Sequence, residues 1–346
     1  MSFNEKYMRR CLELGKRGIG STRPNPSVGA VVVYNDKIIG EGFTSPYGGP
    51  HAEVNAIRSV KDESLFSKST IYVTLEPCSH FGKTPPCSDL IISKGIRNVV
   101  IGTVDTHSVV AGKGIERLKS NGCNVVVGVL EEACKKHHKR FFAVQNKKRP
   151  FVILKWAETA NGFIAPKYRE SQTPVWISNE YAKQLVHKWR SEEQAILVGT
   201  NTVLTDNPKL NVRSWTGQNP VRIVLDRTFK LSSDLSIYDT TIKTIIVSQF
   251  ERESTNENLV YERINFESDV PKQILEVLSK HKIQSVIIEG GAVTLQSFID
   301  DNLWDEARIF IGDNTFEDGI KAPILNAKLE KEEQLTNNTL RTFIND

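Results

Sequence analysis

His51-Ala52-Glu53 is answered downstream by Pro77-Cys78 and, after eight intervening residues, by Cys87. One His and two Cys supply three soft ligands. A catalytic zinc takes that number and keeps its fourth tetrahedral position open for water. Glu53 lies two residues past the His, placed to reach that water without binding the metal. Pro50 suits the start of a helix over about residues 51–60. His51 and Glu53 then share its first turn, where the positive end of the helix dipole favours an ionised carboxylate.

H-x-E with a later P-C is the pattern of zinc nucleobase deaminases, in which the Glu carries protons. The usual second pair there is C-x-x-C. Here residues 79–86 (SHFGKTPP) lengthen the gap. A purely structural zinc would need a fourth protein ligand. His80 is the one candidate nearby, and Glu53 would then be idle. Residues 75–87 (LEPCSHFGKTPPC) closely resemble the deaminase half of bifunctional riboflavin-biosynthesis deaminase/reductases, as do residues 22–29 (TRPNPSVG). The resemblance implies zinc at His51, Cys78 and Cys87, with Glu53 as the catalytic proton carrier. It makes Asn25 a substrate contact, where its place between two prolines alone would read as a turn.

Length and composition agree with such a protein. At 346 residues the chain has room for two domains. Apolar content of 39% and charged content of 25% describe an ordinary globular composition. A net charge of +4 is too weak to argue for nucleic acid or a membrane surface. Neither a signal peptide nor a membrane-spanning apolar run is read in the sequence. Cys11, Cys123 and Cys134 sit singly and read as small buried apolar residues, which fits a reducing cytoplasm.

Periodicity predicts strands over residues 28–34, 37–42, 70–75, 98–103 and 123–129, and helices over 3–18, 88–94, 113–121 and 130–144. His137-His138, among Lys135, Lys136, Lys139 and Arg140, reads as a solvated basic helix face. Asn146-Lys147-Lys148-Arg149-Pro150 is polar and ends in Pro, and the domain boundary is placed there, giving domains 1–147 and 148–346. The pattern restarts with strands over 151–156, 194–198, 221–225, 244–247 and 285–288. Helices are expected over 178–190, opened by Ser178, and over 271–280 and 292–300. Residues 250–269 are polar and read as loop or edge. Alternating strands and helices make both halves α/β.

The second half has no G-x-G-x-x-G. Instead a strand runs through Glu289-Gly290-Gly291 into a helix. Two glycines let backbone approach a phosphate, and a helix N-terminus offers it free N–H groups. Residues 199–208 (GTNTVLTDNP), then Leu210 and Arg213, resemble the reductase half of the same family, whose fold is dihydrofolate-reductase-like. So do Leu154-Lys155, residues 161–165 (NGFIA) and Trp176-Ile177-Ser178. The resemblance as a whole covers residues 3 to 310. It implies NADPH as second cofactor and Lys155 as the catalytic residue near the transferred hydride. Glu158, Trp176, Thr202, Asp206, Gly291, Ala292, Val293, Thr294, Leu295, Gln296 and Ser297 would line the NADPH site. Arg190, Leu210, Arg213 and Glu289 would bind substrate. Two guanidiniums suit a sugar phosphate, which each grips with parallel hydrogen bonds.

The expectation is therefore a cytidine-deaminase-like three-layer α/β domain followed by a dihydrofolate-reductase-like α/β domain. Zinc would serve hydrolytic deamination of a pyrimidine ribosylamine phosphate. NADPH would then reduce its ribosyl group to a ribityl chain. No nucleic acid and no membrane are expected as partners, and the chain is expected to form a homo-oligomer. The rival is a single-activity deaminase of the cytidine or tRNA-adenosine type with an accessory domain. The long Cys78 to Cys87 gap and the modest charge argue against it. Three departures from the family pattern bear on substrate contacts: Thr44, Asn161 and Thr106-His107-Ser108.

Overall fold

The computed structural model describes residues 3–81, 85–106, 111–168 and 175–345. Gly82, Lys83 and Thr84 of the long insert, and His107 and Ser108 among the departures, lie outside the described residues. The chain divides into two compact units, Met1–Lys148 and Arg149–Asp346.

In the first unit Asn4 caps α1 (Glu5–Gly18) by accepting from the Lys6 N–H. β1 (Gly29–Tyr34) and β2 (Lys37–Phe43) form a hairpin. Its turn residues Asn35 and Asp36 both have positive φ, 46° and 57°, as a tight two-residue turn between twisted strands demands. There follow α2 (Ala52–Arg58), β3 (Thr70–Leu75), α3 (Cys87–Ser93), β4 (Asn98–Thr103), α4 (Lys113–Ser120), β5 (Asn124–Val127), α5 (Glu131–His137) and α6 (Lys139–Phe142). The sheet order is β2-β1-β3-β4-β5. β1 runs antiparallel to its two neighbours, and β3, β4 and β5 are parallel.

Side-chain alternation divides the core of this unit between the two sheet faces. Ala30, Val32, Ile71, Val73, Val99 and Ile101 pack with Ala56, Ile91 and Leu118 of α2, α3 and α4. Val31, Val33, Tyr72 and Val100 pack with Met8, Cys11 and Leu14 of α1 and Cys134 of α5. Three layers result, and strands covered on both faces carry the unbroken apolar runs of the sequence.

The helix expected over residues 130–144 is broken at His138, whose φ of −92° and ψ of 13° leave the helical region. The cause is burial. His138 is 3% exposed and its Nε2 lies 3.0 Å from Thr74 Oγ1 on β3. His137 Nε2 lies 2.6 Å from the Ser27 carbonyl. The pair is thus a packed contact with the sheet, and the reading of a solvated basic face is corrected. Cys11, Cys123 and Cys134 are buried, as expected.

The second unit contains β6 (Phe151–Glu158), β7 (Phe163–Pro166), α7 (Glu180–Glu192), β8 (Ala195–Gly199), α8 (Thr200–Asp206), β9 (Val221–Leu225), β10 (Thr244–Ser248) and β11 (Leu259–Arg263). It continues with α9 (Val270–Lys280), β12 (Ser285–Ile288), α10 (Ala292–Asp300), β13 (Glu306–Ile311), β14 (Gly319–Lys321), β15 (Lys328–Leu335) and β16 (Asn338–Ile344). The large sheet runs β11-β10-β9-β8-β12-β6-β13-β16-β15, and β14 pairs with β7. The strands from β11 to β13 are parallel, and the β15–β16 hairpin closes that edge antiparallel. Val152, Leu154, Ile223, Ile245, Val286 and Ile288 pack against Ile274 and Leu278 of α9 and Phe298 of α10. α7 starts two residues later than Ser178. Asn179 is its cap and accepts from the Ala182 N–H. β11, inside residues 250–269, is the sheet edge.

Candidate active sites

Three elements bring the first site together. His51 caps α2 in extended backbone. Cys78 follows β3, and Cys87 opens α3. Three hydrogen bonds close the long gap between the cysteines. Cys87 N donates to Cys78 Sγ at 3.3 Å, and Ser88 N and Oγ donate to the Cys78 carbonyl at 3.1 and 3.0 Å. His51 Nδ1 lies 3.7 Å from Cys78 Sγ and 3.4 Å from Cys87 Sγ. All three ligand atoms fall within 4.8 Å of one another. With Zn–S about 2.3 Å and Zn–N about 2.0–2.1 Å, a tetrahedral zinc has ligand-to-ligand edges of roughly 3.5–3.8 Å. The donor set fits zinc in both chemistry and spacing.

Glu53 is 4% exposed and lies in the first turn of α2. Burial pushes its carboxyl up to about 7, and Cys78 adds to the rise. The Cys78 thiol is pulled down, first by its hydrogen bond with Cys87 and then by His51, against the effect of burial. The pocket around these groups measures about 380 Å³. Asn25 is on its wall, and among the described residues its carboxamide has no hydrogen-bond partner. His80 is also on the wall but outside the ligand cluster. Thr44 is buried there, its Oγ1 accepting from the Val28 N–H at 3.0 Å. Tyr47, Asp105, Phe141 and Gln145 are also on the wall. They come from separate stretches, and no motif spacing marks them.

In the second unit a cleft of about 1250 Å³ opens beyond the carboxyl ends of β6, β8, β9 and β12. Ligands of open α/β sheets bind in such a crevice. Lys155, Trp176, Arg190, Thr202, Asp206, Leu210, Arg213 and Glu289 all line it. So do Gly291, Ala292, Val293, Thr294 and Leu295 at the start of α10. Gly291 has a φ of 72°, and a Cβ on Gly290 would lie 2.8 Å from Thr202 Oγ1, so this turn depends on both glycines. Glu158, Gln296 and Ser297 lie off the wall. Glu158 accepts from Trp156 Nε1 at 2.7 Å, Gln296 bonds Asp300 at 2.7 Å, and Ser297 donates to the Thr294 carbonyl at 2.8 Å. Asn161 is also off the wall, an exposed residue that accepts from Thr159 Oγ1 and donates to the Phe316 carbonyl at 2.7 Å each.

Charge is concentrated at one end of the cleft. Arg190 meets Glu289 through two hydrogen bonds, and Lys155 Nζ lies 3.8 Å from Glu289. Burial pushes Glu289 up, but Arg190 and Lys155 outweigh it and hold the carboxyl at about 2. Burial lowers the Lys155 ammonium, and Glu289 opposes that. Arg213 adds a third cation to the single carboxylate, and burial and Arg190 both lower it. His187, buried one turn before Arg190, accepts from the Arg213 N–H at 3.3 Å. Sequence reasoning missed His187, which reads as an ordinary apolar-face position on α7.

A three-layer α/β domain with a His-Cys-Cys cluster, followed by a parallel-sheet domain with a dinucleotide-sized cleft, defines a two-headed deaminase and reductase. Residues 1–103 match the cytidine and deoxycytidylate deaminase zinc-binding region, and residues 150–337 match the RibD C-terminal domain. The chain is 37% identical over 326 residues to the riboflavin biosynthesis protein RibD of Aquifex aeolicus, covering 92% of this chain and 89% of that protein. It is 40% identical over 316 residues to RibD of Actinobacillus pleuropneumoniae, covering 88% and 82%. Among solved structures it resembles the diaminohydroxyphosphoribosylaminopyrimidine deaminase/5-amino-6-(5-phosphoribosylamino)uracil reductase of Thermotoga maritima. The TM-score is 0.90 at 38% identity, over 98% of both chains. RibD of Acinetobacter baumannii gives 0.88 at 32% identity, again over 98% of both. The chain belongs to the RibD family, the bifunctional deaminase/reductases of riboflavin biosynthesis. A single-activity deaminase with an accessory domain is not favoured, because the second half matches the family's own reductase domain.

Proposed function

We propose that His51, Cys78 and Cys87 hold one zinc ion and that Glu53 carries protons in hydrolytic deamination of the pyrimidine ribosylamine phosphate. The convergence of three ligand atoms within 4.8 Å, with buried Glu53 beside them, carries this reading. Zinc, when bound, would supply Lewis-acid activation of the water that attacks the ring. Glu53 takes a proton from the attacking water and delivers one to the departing amino nitrogen, so that the ring gains a carbonyl and ammonia leaves. Asn25 holds the ring edge. On this reading residues 1–147 are the deaminase domain and residues 148–346 the reductase domain.

In the second domain NADPH supplies the hydride that converts the ribosyl group to ribityl. The cofactor would be held by Trp176, Thr202, Asp206 and the start of α10, where the backbone N–H groups of Ala292, Val293 and Thr294 precede the first intrahelical bond, from the Leu295 N–H to the Gly291 carbonyl at 3.0 Å, and are left for phosphate. Lys155 hydrogen-bonds the sugar oxygen at the carbon receiving hydride. Arg190, Arg213, Leu210 and Glu289 hold the substrate, the guanidiniums at its phosphate. Glu158 and Ser297 serve this site through Trp156 and Thr294, which line the cleft, whereas Gln296 bonds Asp300 and Ile324 away from it. Ammonia release from the amino substrate and NADPH oxidation on the deaminated one, assayed separately, test the two halves.

No described helix is long and apolar enough to cross a membrane. We place the enzyme in the cytoplasm, a reading supported by the unbridged Cys11, Cys123 and Cys134. We also read it as a homo-oligomer. Ile324, 80% exposed, supplies apolar surface for assembly, and light scattering tests it.

A further inference from the structure

The carboxylate of Glu76 stands just before Pro77-Cys78 and is 4% exposed. It accepts from four backbone N–H groups. Those of Asp105 and Gly112 reach Oε2 at 3.2 and 3.0 Å, and those of Gly114 and Ile115 reach Oε1 at 2.9 and 3.2 Å. Asp105 follows β4 and Gly112 caps α4, while Gly114 and Ile115 lie in the first turn of α4. Asp105 is also a wall of the pocket that contains Glu53 and Cys78.

Packing repeats the link. A Cβ on Gly114 would lie 2.1 Å from the Pro77 carbonyl oxygen, so the first turn of α4 rests on the turn that carries Cys78. One turn further on, Arg117 donates to the Ser79 carbonyl at 3.4 Å and to the Asp89 carboxylate at 2.8 Å. Asp89 lies in the first turn of α3, which Cys87 opens. A C-x-x-C pair is held by its own short chain. Here eight residues separate the cysteines, and α4 touches the elements that bear both of them.

We propose that Glu76 is a positioning residue of the deaminase site. It locks the Asp105 wall of the substrate pocket and the start of α4 to the turn that presents Cys78. Only a carboxylate can accept on both oxygens from all four donors. In a carboxamide one oxygen becomes an NH₂ group, which faces two N–H groups as donor against donor. Metal retention and substrate fit then loosen together. The inference rests on Cys78 being a zinc ligand, which metal analysis of Cys87→Ser tests by itself.

The experiment uses full-length, zinc-loaded Glu76→Gln. Zinc release to a chromophoric chelator, KM and kcat for ammonia release, and NADPH oxidation on the deaminated substrate are measured side by side. Zinc release and KM should each rise about ten- to hundredfold, as for groups that orient metal ligands, with kcat changed less and NADPH oxidation unaltered. Glu76→Asp, which keeps the charge, should fall between the two. It also stands in as the test if Glu76→Gln does not fold. A merely structural role would lower the melting temperature and leave zinc release and KM alone. Either readout staying within twofold of the unmodified enzyme overturns the proposal.

Discussion

Arg190 grips Glu289 with two hydrogen bonds, Nε to Oε1 at 3.1 Å and Nη2 to Oε2 at 2.7 Å. Both side chains are nearly buried, 11% and 8% exposed. Breaking such a pair from one side leaves a buried charge unmatched, which costs about 3–5 kcal/mol. Glu289→Gln should therefore lower the stability of the reductase domain and cut NADPH oxidation, while ammonia release persists. Calorimetry and the two separate assays check it. Loss of ammonia release together with NADPH oxidation would contradict the assignment.

Lys155 is held beside the same carboxylate, on the wall of the cleft. Lys155→Ala removes the group assigned to the reacting sugar oxygen. Misplacing a reacting carbon by about 1 Å can cost a hundredfold, so NADPH oxidation should fall by at least that factor. Ammonia release should stay within twofold. The opposite pattern would put Lys155 outside the reductase site.

Cys87→Ser replaces a thiolate by a poor zinc ligand and also removes the N-terminal residue of α3 from the cluster. Stoichiometric zinc in the wild type and its loss in this variant are the expected metal analyses. Binding deprotonates both thiols, so zinc affinity should also weaken with acid. Undiminished zinc in Cys87→Ser would remove that residue from the ligand set.

Glu53→Gln keeps size and burial but cannot carry a proton. Zinc should remain, and ammonia release should fall by about 10²- to 10⁴-fold. NADPH oxidation on the deaminated substrate should be untouched. Deamination near the wild-type rate in this variant would exclude Glu53 as the proton carrier.

Local pattern carried most of this architecture. β3, β4, β12 and α10 fall on the residues their periodicity predicts. His51, Cys78 and Cys87 converge because motif spacing reports chemistry directly. Other parts depend on tertiary context that no local pattern contains. β15 is a strand although residues 328–335 (KLEKEEQL) are mostly charged, because its partner β16 supplies the ladder and solvent covers the rest. Gln145 and Asp105 meet in the pocket from elements far apart in the chain. Glu76 looks like one more residue of a motif until its four N–H donors are seen. The His137-His138 pair misled for the same reason: flanking charges fit a solvated face, and only the sheet beneath α5 shows where the rings go.

That pair gives the last prediction. Burial lowers His137 from 6.5 to about 4, and nearby Arg140 and Lys16 add to the effect against the hydrogen bond to Ser27. Burial lowers His138 further, with His137 contributing. Both folded pKa values lie below the unfolded one. As pH falls through 6.5 the unfolded chain takes up protons that the folded chain refuses, so stability is lost on the acid side. At pH 5 the loss from His137 is on the order of 2 kcal/mol. The melting temperature of the deaminase domain should drop between pH 7 and pH 5, and His137→Gln should flatten that drop. Protonation of the zinc ligands acts equally in both proteins, so the difference between them isolates the ring. Equal slopes for the two proteins would show that His137 is already charged in the fold.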